Sequence, residues 1–164
     1  MWVTGYKGTL GSRILENWSN TRPWTARLED RFYETSWAFS PRDILFLCAG
    51  TRGYAQCEGN QKAFRADVDG NIALAKFALR RGAFVVFVST DGVEWGAHTA
   101  YARNRLLVEM ALIMQPNVAI VRPGKFAADT VQTLAELCVK VGAERREGLH
   151  YWGDRTNRGT SNGA

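Results

Sequence analysis

Three glycines near the start of the chain have the spacing of a phosphate-binding turn. Gly5, Gly8 and Gly11 follow a short β-type run at residues 2–4 and lead directly into a helical pattern. Glycines let the backbone turn sharply and let a pyrophosphate approach it, while the N–H groups and dipole of a helix N-terminus attract negative charge. Glycine-rich turns also arise for steric reasons alone, so the spacing by itself leaves both interpretations open.

The elements that must position this turn follow an α/β pattern. Short β-type runs alternate with helical stretches, which is typical of a parallel sheet. Continuous apolar runs at 44–48 and 84–88 predict central strands that are buried on both faces. Further strands are predicted at 2–4, 24–28 and 118–121. Helices are predicted at 10–18, 61–81, 101–114 and 130–141. The segment 29–42 has aromatic residues without a clear period, so only a short helix or edge strand is expected there.

Length and composition predict a single soluble domain. The chain has 164 residues, of which 46% are hydrophobic and 23% charged, so it can bury a substantial core. No apolar run approaches the roughly 18 residues of a membrane span. We therefore expect one α/β domain with a doubly wound parallel sheet, followed from residue 148 by a polar, glycine-rich C-terminal tail.

Charge and cysteine content narrow the possible partners. The net charge of +5 suits an anionic cofactor or a nucleotide-linked substrate as well as nucleic acid. Because the arginines are scattered along the sequence, nucleic acid is not the expected partner. Cys48, Cys57 and Cys138 form no C-x-x-C pair, so reduced thiols in a cytoplasm are expected instead of disulfides or a zinc site. Two histidines, His98 and His150, are too few for a histidine-rich metal centre.

Seven segments in order resemble the extended, epimerase/dehydratase branch of the short-chain dehydrogenase/reductase superfamily. They are Thr4-Gly5-x-x-Gly8-x-x-Gly11, residues 43–50, Cys57-Glu58, Asp67-Val68-Asp69-Gly70, residues 88–96, residues 101–105 and Val121-Arg122-Pro123. Within them, Tyr101-x-x-x-Arg105 stands where this family has Tyr-x-x-x-Lys. The segments extend from residue 2 to about residue 125. The resemblance therefore covers most of the chain and implies a Rossmann-like NAD(P)-binding domain over residues 1–147.

The activity implied by the resemblance is NAD(P)-dependent oxidoreduction of a small carbonyl compound or a nucleotide-sugar-like substrate. By the same resemblance, Thr90 would bind the substrate oxygen, Tyr101 would act as acid or base, and Arg105 would replace the lysine. An ordinary phenol has a pKa near 10, and a cation one helical turn away can lower it. Each residue also has a structural interpretation, because Thr90 can cap a turn and Tyr101 can pack on the sheet.

The resemblance also implies a set of cofactor-binding residues. These are Gly5, Tyr6, Lys7, Gly8, Leu10, Gly11, Arg27, Ala49, Gly50 and Arg105. Arg27 suits the 2′-phosphate of NADP, whereas Glu29 and Asp30 suit the ribose of NAD, and of the two cofactors NADP is slightly favoured. Trp37 has two interpretations, as a stacking partner for adenine and as a core residue.

Several departures from the family pattern put turnover in question. Arg105 has a planar, permanently charged head where the family has an ammonium group. Asp67 stands where the family's helix usually has asparagine, and it can also be an ordinary solvated carboxylate. The stretch between Thr90 and Tyr101 is short. Family members continue well beyond the last matching segment, so most of a substrate domain is expected to be missing.

These departures support two further hypotheses from other classes. One is a catalytically lapsed dinucleotide-binding or protein-interaction module that kept the fold, and the other is a scaffold that binds no nucleotide.

The resemblance also implies a homodimer through the helix that begins at Tyr101. Its apolar face would consist of Leu106, Leu107, Met110 and Ile113.

Overall fold

The computed structural model describes residues 1–28, 39–51, 54–125 and 129–153. In this part of the chain, helices pack on both faces of a parallel sheet, so the predicted doubly wound α/β fold is confirmed. The strands are β1 (Trp2–Val3), β2 (Arg22–Pro23), β3 (Ile44–Leu47), β4 (Phe84–Val88), β5 (Val118–Pro123) and β6 (Gly148–Trp152). The helices are α1 (Thr9–Asn17), α2 (Tyr54–Cys57), α3 (Gln61–Phe64), α4 (Asn71–Leu79), α5 (Ala100–Leu112) and α6 (Val131–Ala143).

The strand order places a crevice beside the glycine turn. Within the described residues the order is β2-β1-β3-β4-β5-β6, with all neighbours parallel. Trp2 of β1 pairs with Arg22 of β2 on one side and with Leu45 of β3 on the other. The chain therefore leaves β1 toward one edge and returns on its other side at β3. Ligands of open α/β sheets bind at the carboxyl ends of strands where the winding reverses in this way.

The central strands separate two hydrophobic cores. Every residue of β3 and β4 is buried, which explains their continuous apolar sequence. Leu45 and Phe87 pack with α4 and α5 on one face, whereas Phe46 and Val86 pack with α1 and α6 on the other. Because alternate residues of a strand point to opposite faces, a single apolar run supplies both cores.

The helix predicted at 61–81 is interrupted by a π-helical turn. It begins at Gln61, where the Asn60 side chain accepts a hydrogen bond from the Ala63 N–H (3.0 Å). It continues through the π-helical turn (Arg65–Gly70) into α4. Gly70 packs so closely against Leu28 that a Cβ there would lie 2.6 Å from the Leu28 Cβ. The π-helical turn carries Asp67, whose side chain is buried at 3% exposure.

Two sequence predictions about the sheet edges are wrong. The second strand is Arg22–Pro23, not 24–28, because Trp24 turns inward and stacks on Phe39 with ring centroids 5.7 Å apart. Pro23 is tolerated because β2 is the outermost strand among the described residues, so no described neighbour needs the N–H that proline lacks. The tail predicted from residue 148 begins too early, since Gly148–Trp152 pair with β5 as β6. Trp37, Glu29, Asp30 and most of the segment 29–42 lie outside the described residues.

Candidate active site

A cleft of about 1140 Å³ opens at the carboxyl edge of the sheet. It lies over the ends of β1, β3, β4 and β5 and beside the starts of α1 and α5. Most of the site residues predicted from the sequence line it: Gly5, Lys7, Gly8, Leu10, Gly11, Ala49, Gly50, Thr90, Tyr101 and Arg105. The fold thus brings segments that are as much as one hundred residues apart in the sequence to one surface.

The glycine turn is compact, and two of its positions exclude a side chain. Gly5 has φ +63°, and a Cβ there would lie 2.8 Å from the backbone N and Cα of Ala49. A Cβ on Gly11 would collide with the carbonyl oxygen of Gly5. The Gly8 N–H donates to the Gly5 carbonyl (2.7 Å), which closes the turn immediately before α1. Gly5 and Gly11 are therefore required sterically, as the structural interpretation states, and the turn also brings the backbone to the wall of the cleft.

The N-terminus of α1 faces the same cleft. The helix begins at Thr9, and within the described residues no side chain caps it. The first N–H groups of an α-helix have no intrahelical acceptor. Together with Lys7, whose side chain is exposed in the turn, these donors make an electropositive wall that suits a pyrophosphate.

Thr4 fixes the position of this turn relative to β3, a role that no sequence motif predicted. Its buried hydroxyl accepts hydrogen bonds from the N–H groups of Cys48 and Ala49, both at 3.0 Å. The Thr4 N–H donates to the carbonyl of Phe46 (2.9 Å). The end of β1 is thereby tied to the segment that follows β3. The signal available in the sequence was a small hydroxyl residue directly before the first glycine.

Thr90 and Tyr101 lie at the opposite side of the cleft. Thr90 follows β4 and begins a 3₁₀ turn (Asp91–Val93), where its hydroxyl accepts from the Gly92 N–H (3.3 Å). Tyr101 lies in the first turn of α5 and is half-buried. Thr99 starts this helix, because its hydroxyl accepts from the Ala102 N–H (3.1 Å). Thr90 therefore does cap a turn, and it also lines the cleft.

Arg105 is more enclosed than the sequence suggested. Its side chain lies in the cleft wall at 5% exposure, and both terminal nitrogens donate to the carbonyl of Ala49 at 3.2 Å. The guanidinium lies 5.3 Å from the centroid of the Tyr101 ring and 5.5 Å from that of Phe87. A Cβ on Gly50 would collide with its Nη2 atom. Arg105 thus stands beside the tyrosine, as predicted, and is hydrogen-bonded to the backbone after β3.

A second cavity of about 320 Å³ lies on the other side of the segment 49–51. Trp24, Ala26, Leu28 and Asp67 contribute to its walls, and Gly5, Ala49, Gly50 and Thr51 border both cavities. Asp67 accepts hydrogen bonds from the Thr51 N–H (2.8 Å) and from the Thr51 hydroxyl (3.2 Å). The alternative that Asp67 is an ordinary solvated carboxylate is therefore wrong.

Two of the predicted cofactor-binding residues line neither cavity. Arg27 is exposed after β2. Tyr6 is half-buried against the core that contains α1 and α6, and the Lys7 ammonium lies 5.7 Å from its ring centroid.

Cys48, interpreted from the sequence as a buried strand residue, lines the cleft immediately after β3. Burial raises the pKa of its thiol to about 12, so the thiol keeps its proton at neutral pH.

An ion-pair network lies behind the side of the cleft that carries Thr90 and Tyr101. Glu109 of α5 is 2% exposed and accepts from Arg122 Nε at 3.0 Å. Another nitrogen of Arg122 reaches Glu94, in the turn after Thr90, at 3.3 Å. The contact with the Glu109 carboxylate raises the pKa of Arg122 above its ordinary value. The network joins α5, β5 and the turn that carries Thr90, and the sequence signalled it only through the Val121-Arg122-Pro123 segment.

Comparison with known proteins finds the same fold in nucleotide-sugar reductases. A hypothetical dTDP-4-dehydrorhamnose reductase of Sulfolobus tokodaii matches with a TM-score of 0.74 and 15% identity, over 92% of this chain and 74% of its own. The corresponding protein of Clostridium acetobutylicum gives 0.70 and 20%, over 92% and 72%. The Bacillus anthracis enzyme, crystallised with NADP, gives 0.72 and 16%, over 93% and 74%. Neither a family model nor a curated protein matches the sequence.

At these identities the comparisons establish the fold alone. They confirm the Rossmann-like architecture that the sequence resemblance implied, over nearly the whole chain. This chain spans about three quarters of the length of these neighbours. None of the helices in the described part of the chain is long and apolar enough to cross a membrane.

Proposed function

We propose that this protein binds a nicotinamide dinucleotide and acts as a reductase of the short-chain dehydrogenase/reductase type on a small carbonyl or nucleotide-sugar-like substrate. The observation that carries the proposal is the convergence of the glycine turn, Thr90 and Tyr101 on one cleft at the carboxyl edge of the sheet. Solved neighbours with this fold were crystallised with NADP, NADPH or NAD⁺, which supports the cofactor class.

The residues present fit such a cofactor in size and chemistry. The turn at Gly5, Gly8 and Gly11 and the start of α1 suit a pyrophosphate, because they line the cleft and no described side chain caps the first N–H groups of the helix. The smaller cavity, lined by Trp24 and Leu28, suits the adenosine end. Ala49 and Gly50, which border both cavities, would lie between the two halves.

The chain's own part in the reaction would be to hold the substrate oxygen and move one proton. The cofactor, when bound, supplies the hydride. The Thr90 hydroxyl would then hydrogen-bond the carbonyl oxygen, and the Tyr101 hydroxyl would donate its proton to that oxygen in reduction or accept it in oxidation. Arg105 would hold positive charge beside the phenol throughout, because a guanidinium does not deprotonate.

The geometry of Arg105 favours a second candidate, a lapsed module that binds the cofactor without turnover. Both terminal nitrogens of Arg105 are bonded to the Ala49 carbonyl, so the side chain is already anchored to the protein. Thr90 is likewise engaged with the backbone of its own turn. In this candidate, the glycine side of the cleft keeps its function and the Tyr101 side serves only for structure.

Calorimetric titration with NAD, NADP and their reduced forms tests the cofactor part. We expect saturable binding of at least one form, accompanied by a rise in melting temperature. No heat and no thermal shift at millimolar cofactor would overturn both candidates and leave a scaffold that binds no nucleotide.

The variant Tyr101→Phe separates the two candidates. If the protein is a reductase, this variant loses turnover by on the order of a hundredfold or more while its cofactor affinity stays within about twofold. A thermal melt of the variant establishes that it is folded like the parent protein. No turnover by the parent protein across a broad panel of aldehydes, ketones and nucleotide sugars would favour the lapsed module.

We propose in addition that the protein forms a homodimer and is located in the cytoplasm. Helix α5 exposes an apolar surface that would suit a second copy, with Leu107 42% and Met110 67% exposed. All three cysteines are free thiols, in keeping with a reducing compartment. Sedimentation equilibrium of the parent protein and of Met110→Glu checks the dimer, and a monomeric parent would exclude it.

A further inference from the structure

Basic side chains gather at the edge of the sheet opposite the cleft. We call this the amino edge: the loops that precede β2, β3, β4, β5 and β6, together with Arg22 at the start of β2 and the last turns of α4 and α6. Six arginines lie there: Arg22, Arg42, Arg80, Arg81, Arg145 and Arg146. Lys76 and Lys140, in the last turns of α4 and α6, add two more cations. These residues are scattered along the sequence, and the parallel sheet collects them because every strand begins at this edge.

The amino edge is where the excess positive charge of the described residues resides. Its loops carry three carboxylates, and each is engaged locally. Asp43 accepts from the N–H (2.9 Å) and hydroxyl (2.8 Å) of Ser40, and Glu147 accepts from the Asn117 N–H (2.7 Å). Glu144 pairs with Arg146. In the rest of the described chain, including the cleft, basic and acidic side chains are equal in number.

Three of the arginines belong to segments that meet at Pro41. Arg42 is its neighbour in sequence and is exposed. Arg145 donates to the Pro41 carbonyl and lies 5.8 Å from the ring of Phe84. Gly82, next to Arg81, lies so close that a Cβ there would be 3.1 Å from Pro41 Cγ. The segments at 41–42, 81–82 and 145 therefore form one contiguous patch in the middle of the amino edge.

We infer that the amino edge binds the phosphate backbone of a nucleic acid. Arginine, which makes up most of the patch, presents a planar fork that matches phosphate oxygens. Six parallel strands span roughly 24 Å, about the length of seven base pairs. The exposed large apolar side chains at this edge, Met110, Ile113 and Met114, belong to the last turn of α5 and the residues after it, and none belongs to the segments that meet at Pro41. A phosphate backbone therefore fits the patch better than a bilayer, which needs apolar anchors within the basic surface.

This inference is independent of the proposed reductase activity. The amino edge and the cleft lie at opposite ends of the strands, so neither ligand obstructs the other. Binding through phosphates alone carries no base readout and depends strongly on salt. We therefore expect weak preference among sequences and the same nucleic-acid affinity with and without saturating cofactor.

The test measures fluorescence anisotropy of a labelled DNA duplex and a labelled single-stranded RNA, each about 20 nucleotides long. For three to four phosphate contacts, log K should fall against log salt with a slope of about −3, or roughly sixtyfold from about 50 to about 200 mM salt. The triple variant Arg42→Ala/Lys76→Ala/Lys140→Ala should weaken binding by tenfold or more and flatten the slope. All three side chains are exposed.

The matched control is Arg13→Ala/Lys62→Ala/Arg65→Ala, which removes the same net charge from helices away from the amino edge. It should bind within about twofold of the parent protein. Equal loss in both triple variants would show a general charge effect and overturn the inference. It is overturned equally by no binding of either nucleic acid at low salt, or by binding only to vesicles with about 30% anionic lipid. Thermal melts of both variants establish that they are folded.

Discussion

The two sides of the cleft differ in how far their polar groups are already committed within the protein. On the glycine side, Gly5 and Gly11 have no room for a side chain, and the start of α1 has no side-chain cap among the described residues. On the Tyr101 side, Thr90 is bonded to its own turn and Arg105 to Ala49. Backbone N–H groups that no side chain caps can bind a ligand directly. Polar groups that are already hydrogen-bonded within the protein must first lose those bonds. The two walls can therefore be tested separately, the glycine side for cofactor binding and the Tyr101 side for turnover.

The largest expected effect is on the glycine side. Gly5→Ala should abolish detectable cofactor binding and lower the free energy of unfolding by several kcal/mol, because its methyl group would lie 2.8 Å from the Ala49 backbone. Gly59→Ala is the matched control. Gly59 has the same φ of +63° but no atom within 4 Å of a built Cβ, so it carries only the backbone strain of about 1 kcal/mol. Calorimetry and thermal melts measure both. Equal losses in the two variants would mean that φ, not the close approach, explains the glycine.

The next effect concerns the support beneath Thr90. Arg122→Ala leaves the Glu109 carboxylate, which is 2% exposed, without its partner and should cost about 3–5 kcal/mol of unfolding free energy. Arg103→Ala breaks an exposed pair with Glu58 and should cost less than about 1 kcal/mol. Urea denaturation measures both. A cost for Arg122→Ala as small as for Arg103→Ala would show that the network does not brace this side of the cleft.

A third effect is visible at alkaline pH. Burial raises the pKa of Cys48 from 9.0 to about 12, so between these values the unfolded thiol ionises while the folded thiol keeps its proton. The unfolded state then binds fewer protons, and stability falls as pH rises above about 9, by up to about 1.4 kcal/mol per pH unit. Cys48→Ala should remove this part of the slope in melts between about pH 8 and 10.5. An unchanged slope would mean that the thiol titrates normally in the folded protein.

The smallest effect bears directly on the Tyr101 side. Arg105→Lys replaces two hydrogen bonds to Ala49 with at most one and should cost about 1 kcal/mol of stability. If Arg105 limits the rate of a reductase reaction, carbonyl turnover should rise in this variant. The variant places an ammonium group beside the Tyr101 phenol, as in the Tyr-x-x-x-Lys pattern. Arg105→Met, which removes the charge, is the control. Turnover that rises equally in both variants would show that relief of crowding, not the ammonium, is responsible.

The sequence predicted the interior of this fold better than its edges. The run at 84–88 coincides with β4, and the run at 44–48 ends one residue beyond β3, because strands buried on both faces have an unmistakable apolar pattern. β2 and β6 are short or polar edge strands, and their pairing depends on neighbours that the local sequence does not specify. The same limit applies to the π-helical turn at Asp67. The spacing of apolar residues in the sequence does not distinguish such a turn from an ordinary α-helix.

The candidate site divides in a similar way. Residue type and spacing singled out Gly5, the family resemblance singled out Thr90 and Tyr101, and the fold places all three at one cleft. The bonds of Arg105 to Ala49 and of Thr4 to the segment after β3 join residues more than forty positions apart, so no local pattern contains them. The gathering of arginines at the amino edge is likewise a property of topology, since parallel strands align loops that are distant in sequence.

The sequence by itself therefore determined the architecture and the types of functional group that reach the cleft. Alternating apolar runs and helical periods require a parallel α/β sheet, and that sheet requires the glycine turn, Thr90 and Tyr101 to share its carboxyl edge. The tertiary structure alone decided which of those groups are already engaged and where the net charge lies. The physical reason is that hydrogen bonding and charge balance are set by distances across the fold, whereas secondary structure is set largely by neighbours along the chain.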